Sequence, residues 1–253
     1  MKNHFYMSYV GNKRNEIKLF YDSLDFVGVD TIVEPFCGSC AMSYYIWTQK
    51  PTLKFLLNDN NTFLKEMYEI IKDDKKCEEF ENNFNKLVDS FTDNKEKYKE
   101  IINKQKTLYG WFIANKIYCI RAGLFPLQTK PYKKTVKFSD FPIYNFFRNA
   151  NIIFTNEDGL EFYKTHCKVK NNLLLIDPPY INTCNDFYTN AGLNIYEYFY
   201  INDIKKENSK IYLILEDIWI IKLLFKNHKI LNSYDKLYQC NKKKTNHIVI
   251  TNQ

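Results

Sequence analysis

No apolar run in the sequence approaches the roughly 20 residues that a bilayer-spanning helix requires, so a helical membrane protein is excluded and a soluble one expected. Met1 to Asn15 is polar and lacks the apolar core of a secretory leader. Together with seven cysteines, an odd count, this points to a reducing, intracellular compartment rather than a disulfide framework. Cys37 and Cys40 form a C-x-x-C, but no second Cys or His pair follows at ligand spacing; that argues against zinc and leaves both as small residues of a turn. Internal repeats are missing, as is the lysine loop with which other α/β nucleotide enzymes grip phosphate. The composition is not that of a disordered or fibrous chain either. Hydrophobic residues are 45% and charged residues 26% of 253, enough for one core or for one core carrying an inserted smaller domain.

What is present is a surplus of cations. The formal net charge of +7 carries little meaning by itself, because the abundance of Lys, Asn, Ile, Tyr and Phe can reflect an AT-rich genome. Clustering is more informative. Lys104, Lys106, Lys116, Arg121, Lys130, Lys133, Lys134 and Lys137 occur with no acid between Ile101 and Ser139, a polyanion-binding pattern. For any single lysine a solvated face remains the plainer reading.

Periodicity places this stretch inside an α/β chain. Thr31 to Pro35 reads as a strand, Phe36 to Cys40 as a tight turn and Ala41 to Trp47 as a helix; Lys54 to Leu57 then reads as a strand and Phe63 to Ile71 as a helix. Lys72 to Asn103 is charged, with Phe80, Phe84, Leu87, Val88 and Phe91 at helical spacing. The basic stretch through Trp111, Phe112, Tyr118, Phe125 and Tyr132, broken by Gly123, Pro126 and Pro131, reads as loops and short elements. Strands follow at Ile152 to Thr155, Leu173 to Ile176 and Ile211 to Leu215, with helices at Leu160 to Thr165 and Ile218 to Phe225. Tyr234 to Cys240 and His247 to Thr251 read as an antiparallel hairpin. A nucleotide-binding sheet is thus interrupted by a basic insert too long for a connecting loop.

The sharpest chemical signal is Asp177-Pro178-Pro179-Tyr180 after the apolar strand Leu173 to Ile176, because ligands of open α/β sheets bind at the carboxyl ends of strands. Two prolines offer no N–H and fix φ, so this segment presents acceptors and one aromatic ring. Acceptors are what an exocyclic –NH2 requires: the Asp177 carboxylate and the Pro178 carbonyl can each take one N–H and aim the nitrogen lone pair. Tyr180 can then stack on a base turned out of a duplex. The plain alternative is a strand exit into a D-P-P turn. Glu34 to Ala41 is a small-residue turn where a ligand can approach backbone, and Asp59 ends the next strand, where an acid receives ribose hydroxyls; alone, Asp59 reads as a helix cap. Tyr9-Val10-Gly11-Asn12-Lys13-Arg14 alone reads as a basic helix start.

In combination and order these elements resemble the Dam-type, alpha-ordered DNA adenine-N6 methyltransferases. Tyr9, Gly11 and Lys13 match that family's first motif, Phe36 and Gly38 its F-x-G-x-G, Asp59 the acid after the second strand, and Asp177 to Tyr180 its D-P-P-Y. The resemblance implies a Rossmann-like class I methyltransferase sheet with an antiparallel C-terminal hairpin, formed by residues 1–61 and 151–253, and a mainly helical target-recognition domain inserted at 62–150. It implies S-adenosylmethionine as cofactor, bordered by Tyr9, Gly11, Lys13, Asp59 and Asp177, with Pro35, Phe36 and Gly38 on its methionine side and Asp158 near its adenine. Double-stranded DNA is the implied partner, contacted by Lys116, Arg121, Lys130, Tyr132, Lys133 and Lys134. A cognate restriction endonuclease is a candidate companion, and neither a metal nor a covalent enzyme intermediate is required, so Cys37 and Cys40 are dispensable as nucleophiles. Two features depart from the family pattern: Cys40 replaces its second glycine, and its asparagine-rich recognition segment is poorly kept. Cytosine N4, RNA adenine and a glutamine amide present the same –NH2, and a silent nucleic-acid-binding module is the alternative from another class.

Overall fold

Short aliphatic runs separated by helix-length segments become a parallel sheet in the computed structural model, which describes residues 12–91, 96, 100, 107–117, 135–181, 201, 203–238 and 243–253. In chain order the first elements are α1 (Ile17–Phe20), β1 (Thr31–Glu34), α2 (Ala41–Gln49) and β2 (Lys54–Asn58). Helices α3 (Thr62–Lys72), α4 (Asp74–Phe91), α5 (Leu108–Ile117) and α6 (Pro142–Asn149) follow. The chain returns to the sheet with β3 (Asn151–Thr155), α7 (Gly159–His166), β4 (Asn172–Ile176), β5 (Lys210–Glu216), α8 (Trp219–Leu224), β6 (Lys229–Tyr238) and β7 (Lys243–Thr251). The chain divides into two compact units, Thr62–Asn149 forming one and Lys13–Asn61 with Ala150–Gln253 the other.

The described sheet has seven strands in the order β3-β2-β1-β4-β5-β7-β6. The first five in that order run parallel, and β7 is antiparallel to both β5 and β6. From β1 the chain winds outward to β2 and β3 on one side and to β4 and β5 on the other, so the topological switch point lies between β1 and β4. Their register, Thr31 opposite Asn172 and Val33 opposite Leu174, brings Glu34 and Asp177 to the same edge of the sheet.

Why β4 is so apolar is now plain: all five of its residues are buried, as expected for a central strand covered on both faces. One core cluster joins Val33, Leu174, Ile176, Leu213, Leu215, Ile248 and Ile250 to Leu160 and Phe162 of α7 and Ile221 of α8. Each such side chain contributes about 1.5–3 kcal/mol when fully buried. The C-terminal strand pair begins earlier than the hydrophobic pattern suggests, at Lys229, and carries an irregularity between Ile230 and Asn232.

In the smaller unit the helical spacing of α4 falls on buried positions, with Phe80 at 3% exposure and Phe84 and Val88 at 0%. Phe84 meets Phe112 edge-on at 5.0 Å, and Phe80 stacks on Tyr109 at 4.9 Å. Within the stretch read as loops and short elements, Trp111 and Phe112 fall in a ten-residue helix. Both lie in α5 and are buried, Trp111 against Phe63 at 5.5 Å, because this apolar run completes the aromatic core of the unit. Asn85 pairs with both backbone groups of Val136, and Arg148 donates to the carbonyls of Ile71 and Lys72, capping α3.

Candidate active site

One buried amide ties together the carboxyl ends of three strands. Asn58, the last residue of β2, donates to the carbonyls of Pro35 (3.0 Å) and Glu157 (3.1 Å). Its own oxygen accepts from the Glu157 N–H and the Thr155 hydroxyl, each at 2.8 Å. Every donor and acceptor of the side chain is thereby used, which fixes the loops after β1, β2 and β3 against each other.

The loop after β1 turns on Gly38 at φ 49° and on Cys40 at φ 58°, ψ 30°. Left-handed backbone favours glycine, and a residue with a Cβ there costs about 1–2 kcal/mol. Cys40 nevertheless keeps its side chain inside, at 1% exposure, with Sγ 3.8 Å from the Gly38 carbonyl. Burial pushes both the Cys37 and the Cys40 thiols up, so neither is poised as a nucleophile. The loop is held from β2 by Asp59, whose two oxygens accept the N–H groups of Gly38 (2.9 Å) and Asn61 (3.0 Å). Burial raises the Asp59 carboxyl to about 6.

The Phe36 ring packs against Gly159 at the start of α7. A Cβ on Gly159 would lie 2.7 Å from Phe36 Cζ, so only glycine fits. Gly159→Ala is therefore expected to displace the Phe36 ring and lower stability by about 1–3 kcal/mol, the usual result of overpacking. A thermal melt of the variant checks this, and an unchanged melting temperature would show that the ring moves freely.

The second half of the site surrounds Asp177, immediately after β4. Lys13, only 3% exposed, places Nζ 2.5 Å from Asp177 Oδ2. Tyr180 donates its hydroxyl to Asp177 Oδ1 at 2.6 Å, and Lys13 Nζ sits 5.2 Å from the centre of the Tyr180 ring. Burial lowers the pKa of Lys13 against the pull of Asp177. On β1, Glu34 is 1% exposed and accepts the Ser43 N–H at 2.8 Å and the Ser43 hydroxyl. Burial drives its carboxyl up to about 8, so it is a neutral acid at pH 7.

Tyr180, which in the sequence can stack on a base, is 7% exposed and donates its hydroxyl to Asp177; a buried phenol has to find such a partner. Asp158 is exposed and caps α7, accepting from Leu160 (2.9 Å) and Glu161 (3.1 Å). Pro35, Phe36, Gly38 and Asp59 share one loop cluster through Asn58, while Lys13, Asp177, Pro178, Pro179 and Tyr180 gather at the end of β4. Tyr9, Gly11, Arg121, Lys130, Tyr132, Lys133 and Lys134 lie outside the described residues, as does the side chain of Lys116. Asn58, Glu34 with Ser43, and His247 beside Tyr180 were not singled out; a buried asparagine at a strand end was the available signal for the first. Among the described residues no group of three or more His, Cys, Asp or Glu converges as metal ligands, and no helix is long and apolar enough to cross a membrane.

A parallel sheet of this order, with an antiparallel final hairpin and acids at the ends of the strands flanking its switch point, defines an α/β enzyme of Rossmann-like methyltransferase type. Within that class, residues 9–198 match the D12 class N6 adenine-specific DNA methyltransferase family, and the chain belongs to it. No curated protein matches the sequence individually. Membership makes the protein an adenine methyltransferase with DNA as substrate.

Proposed function

We propose that the protein transfers the methyl group of S-adenosylmethionine to the N6 amine of an adenine turned out of double-stranded DNA, with Asp177 as the centre of the reaction. The observation that carries this reading is the environment of Asp177: a carboxylate at the switch point whose two oxygens are each oriented by one partner, Lys13 and Tyr180. Each oxygen keeps a lone pair, and the side chain is 14% exposed, so an incoming amine N–H has an acceptor of fixed direction. The Pro178 carbonyl accepts the second N–H, and neither proline competes as a donor. Holding both N–H groups aims the nitrogen lone pair, and orientation is the main contribution a protein makes to a direct displacement.

The residues present suit the cofactor. Asp59 is half-buried with one lone pair free on each oxygen, the acceptor set that two ribose hydroxyls call for. The inward side chain of Cys40 leaves the loop as small on its outer face as the glycine it replaces. Pro35, Phe36 and Gly38 would border the methionine part, Tyr9, Gly11 and Lys13 its other side, and Asp158 its adenine. S-adenosylmethionine, when bound, supplies an electrophilic methyl sulfonium. Lys116, Arg121, Lys130, Tyr132, Lys133 and Lys134 are proposed to hold DNA, the cations on phosphates.

The test is transfer of radiolabelled methyl from S-adenosylmethionine to unmethylated genomic duplex DNA, followed by digestion to nucleosides. Label is expected in N6-methyladenine. Label in N4-methylcytosine, or in RNA but not DNA, would overturn the substrate assignment, and failure to bind cofactor would favour a silent nucleic-acid-binding module.

A further inference from the structure

Behind Asp177 the sheet supplies a residue that no motif contains. His247, on β7, is 0% exposed and lies beyond the segment that matches the family. Its ring meets the Tyr180 ring in a T-shaped contact at 5.1 Å, and its Nδ1 is 3.5 Å from the Tyr180 hydroxyl. Cross-strand neighbours hold it on both sides: Glu216 of β5 and Tyr234 of β6 share its register, and the Tyr234 ring centre is 5.7 Å away. The same hairpin reaches the segment that carries the other partner of Asp177, since Lys236 of β6 pairs with Glu16, three residues after Lys13, at 2.6 Å.

Proton counting assigns the direction of the chain. Tyr180 has one hydroxyl proton, and the 2.6 Å contact commits it to Asp177. Toward His247 the phenol oxygen can then only accept, so the ring nitrogen facing it is the one that carries hydrogen. The imidazole is neutral, because burial and the nearby charges of Lys13 and Lys236 push its pKa down to about 3. A contact of 3.5 Å is long for a hydrogen bond, so the T-shaped packing shares in holding the phenol.

We propose that His247 is a positioning residue for methyl transfer: with its proton on Nδ1 it donates to the Tyr180 hydroxyl, fixing the hydrogen bond that Tyr180 gives Asp177. The proposal rests on Asp177 being the reaction centre, and it extends the working parts of the site to the C-terminal hairpin. No proton is transferred in this role; the histidine restrains the torsion of the phenol and thereby the direction of the free lone pair on Asp177 Oδ1.

The experiment is methyl-transfer kinetics on duplex DNA with the full chain, comparing wild type, His247→Phe, His247→Asn, Tyr180→Phe, the His247→Phe/Tyr180→Phe double variant and Asp177→Ala. His247→Phe is expected to lower kcat roughly tenfold, the worth of one hydrogen bond, with both Michaelis constants within about threefold. His247→Asn, whose amide nitrogen falls near Nδ1, should recover most of the loss. In the Tyr180→Phe background, removing the imidazole should have no further effect, because the two act through one contact. Unchanged kcat in His247→Phe, or the same factor of loss in the Tyr180→Phe background, would overturn the proposal. Where His247→Phe does not fold, His247→Gln replaces it: its amide reaches toward Nε2, so it should lose the kcat that His247→Asn retains, and equal activities of the two would count against the role. If Asp177→Ala abolishes transfer while the His247 variants stay active, only this inference fails; if Asp177→Ala is itself active, the reading of the site fails first.

Discussion

Asp177→Asn is expected to reduce kcat for methyl transfer on the order of a thousandfold while changing the Michaelis constant for S-adenosylmethionine far less. The substitution preserves shape and removes one acceptor. In the native site three donors converge on the carboxylate: the Lys13 ammonium, the Tyr180 hydroxyl and, in the proposed complex, the target amine. An amide has one oxygen to offer and turns an NH2 toward at least one of those donors. Lys13, at 3% exposure, also loses its counter-charge, with an expected stability loss of up to about 3 kcal/mol unless it sheds its proton. Single-turnover assays at saturating cofactor and DNA, at a temperature where melting curves show the variant folded, separate chemistry from stability. A rate within tenfold of wild type would remove Asp177 from the reaction centre.

How much of this was legible in the sequence depends on the range of the interaction. The strand before Asp177 is read from the four apolar residues Leu173 to Ile176 and the two prolines that follow Asp177, both local signals, and all four are buried in the structure. The α/β alternation and the final hairpin are local patterns too, and the sheet order that places β1 beside β4 then follows from few alternatives. Helix α5 was less legible because its apolar residues sit in a lysine-rich context, and only the aromatic core of its own unit explains why Trp111 and Phe112 are helical and buried.

Contacts across the sheet were the least legible. That Tyr180 turns inward depends on Asp177 and His247 being within reach, and His247 comes from a strand whose pattern, His247-Ile248-Val249-Ile250-Thr251, reads only as buried. The Lys13 ammonium looked like part of a solvated helix start until the fold set it against a carboxylate far along the chain. Glu34 is the same lesson with the opposite sign. In the sequence Glu34 only opens a small-residue turn, whereas in the fold its total burial makes it a neutral acid even though two hydrogen bonds from Ser43 favour the charged form.

Glu34→Gln is accordingly expected to stabilise the protein at alkaline pH and to leave it nearly unchanged in acid. Glu34 keeps its proton in the folded chain up to about pH 8, whereas it ionises near 4.5 in an ordinary setting. Below 4.5 both folded and unfolded chains hold the proton, and Glu34 imposes no penalty. As the pH rises from 4.5 toward 8 the unfolded chain releases a proton that the folded one retains, so stability falls by up to about 1.4 kcal/mol per pH unit. Above 8 the loss is complete. The amide has no proton to release and still offers an oxygen to both Ser43 donors, so its curve lacks this descent. At roughly 3 °C per kcal/mol for a chain of this size, its melting temperature should exceed that of wild type by on the order of 10 °C at pH 8.5. The difference between the two curves is the quantity to measure, because Lys13, lowered by burial, acts in the opposite sense and is common to both. Parallel curves from pH 5 to 8.5 would mean that Glu34 is ionised in the folded protein, and that the switch point holds two carboxylates against one lysine instead of a balanced pair beside a neutral acid.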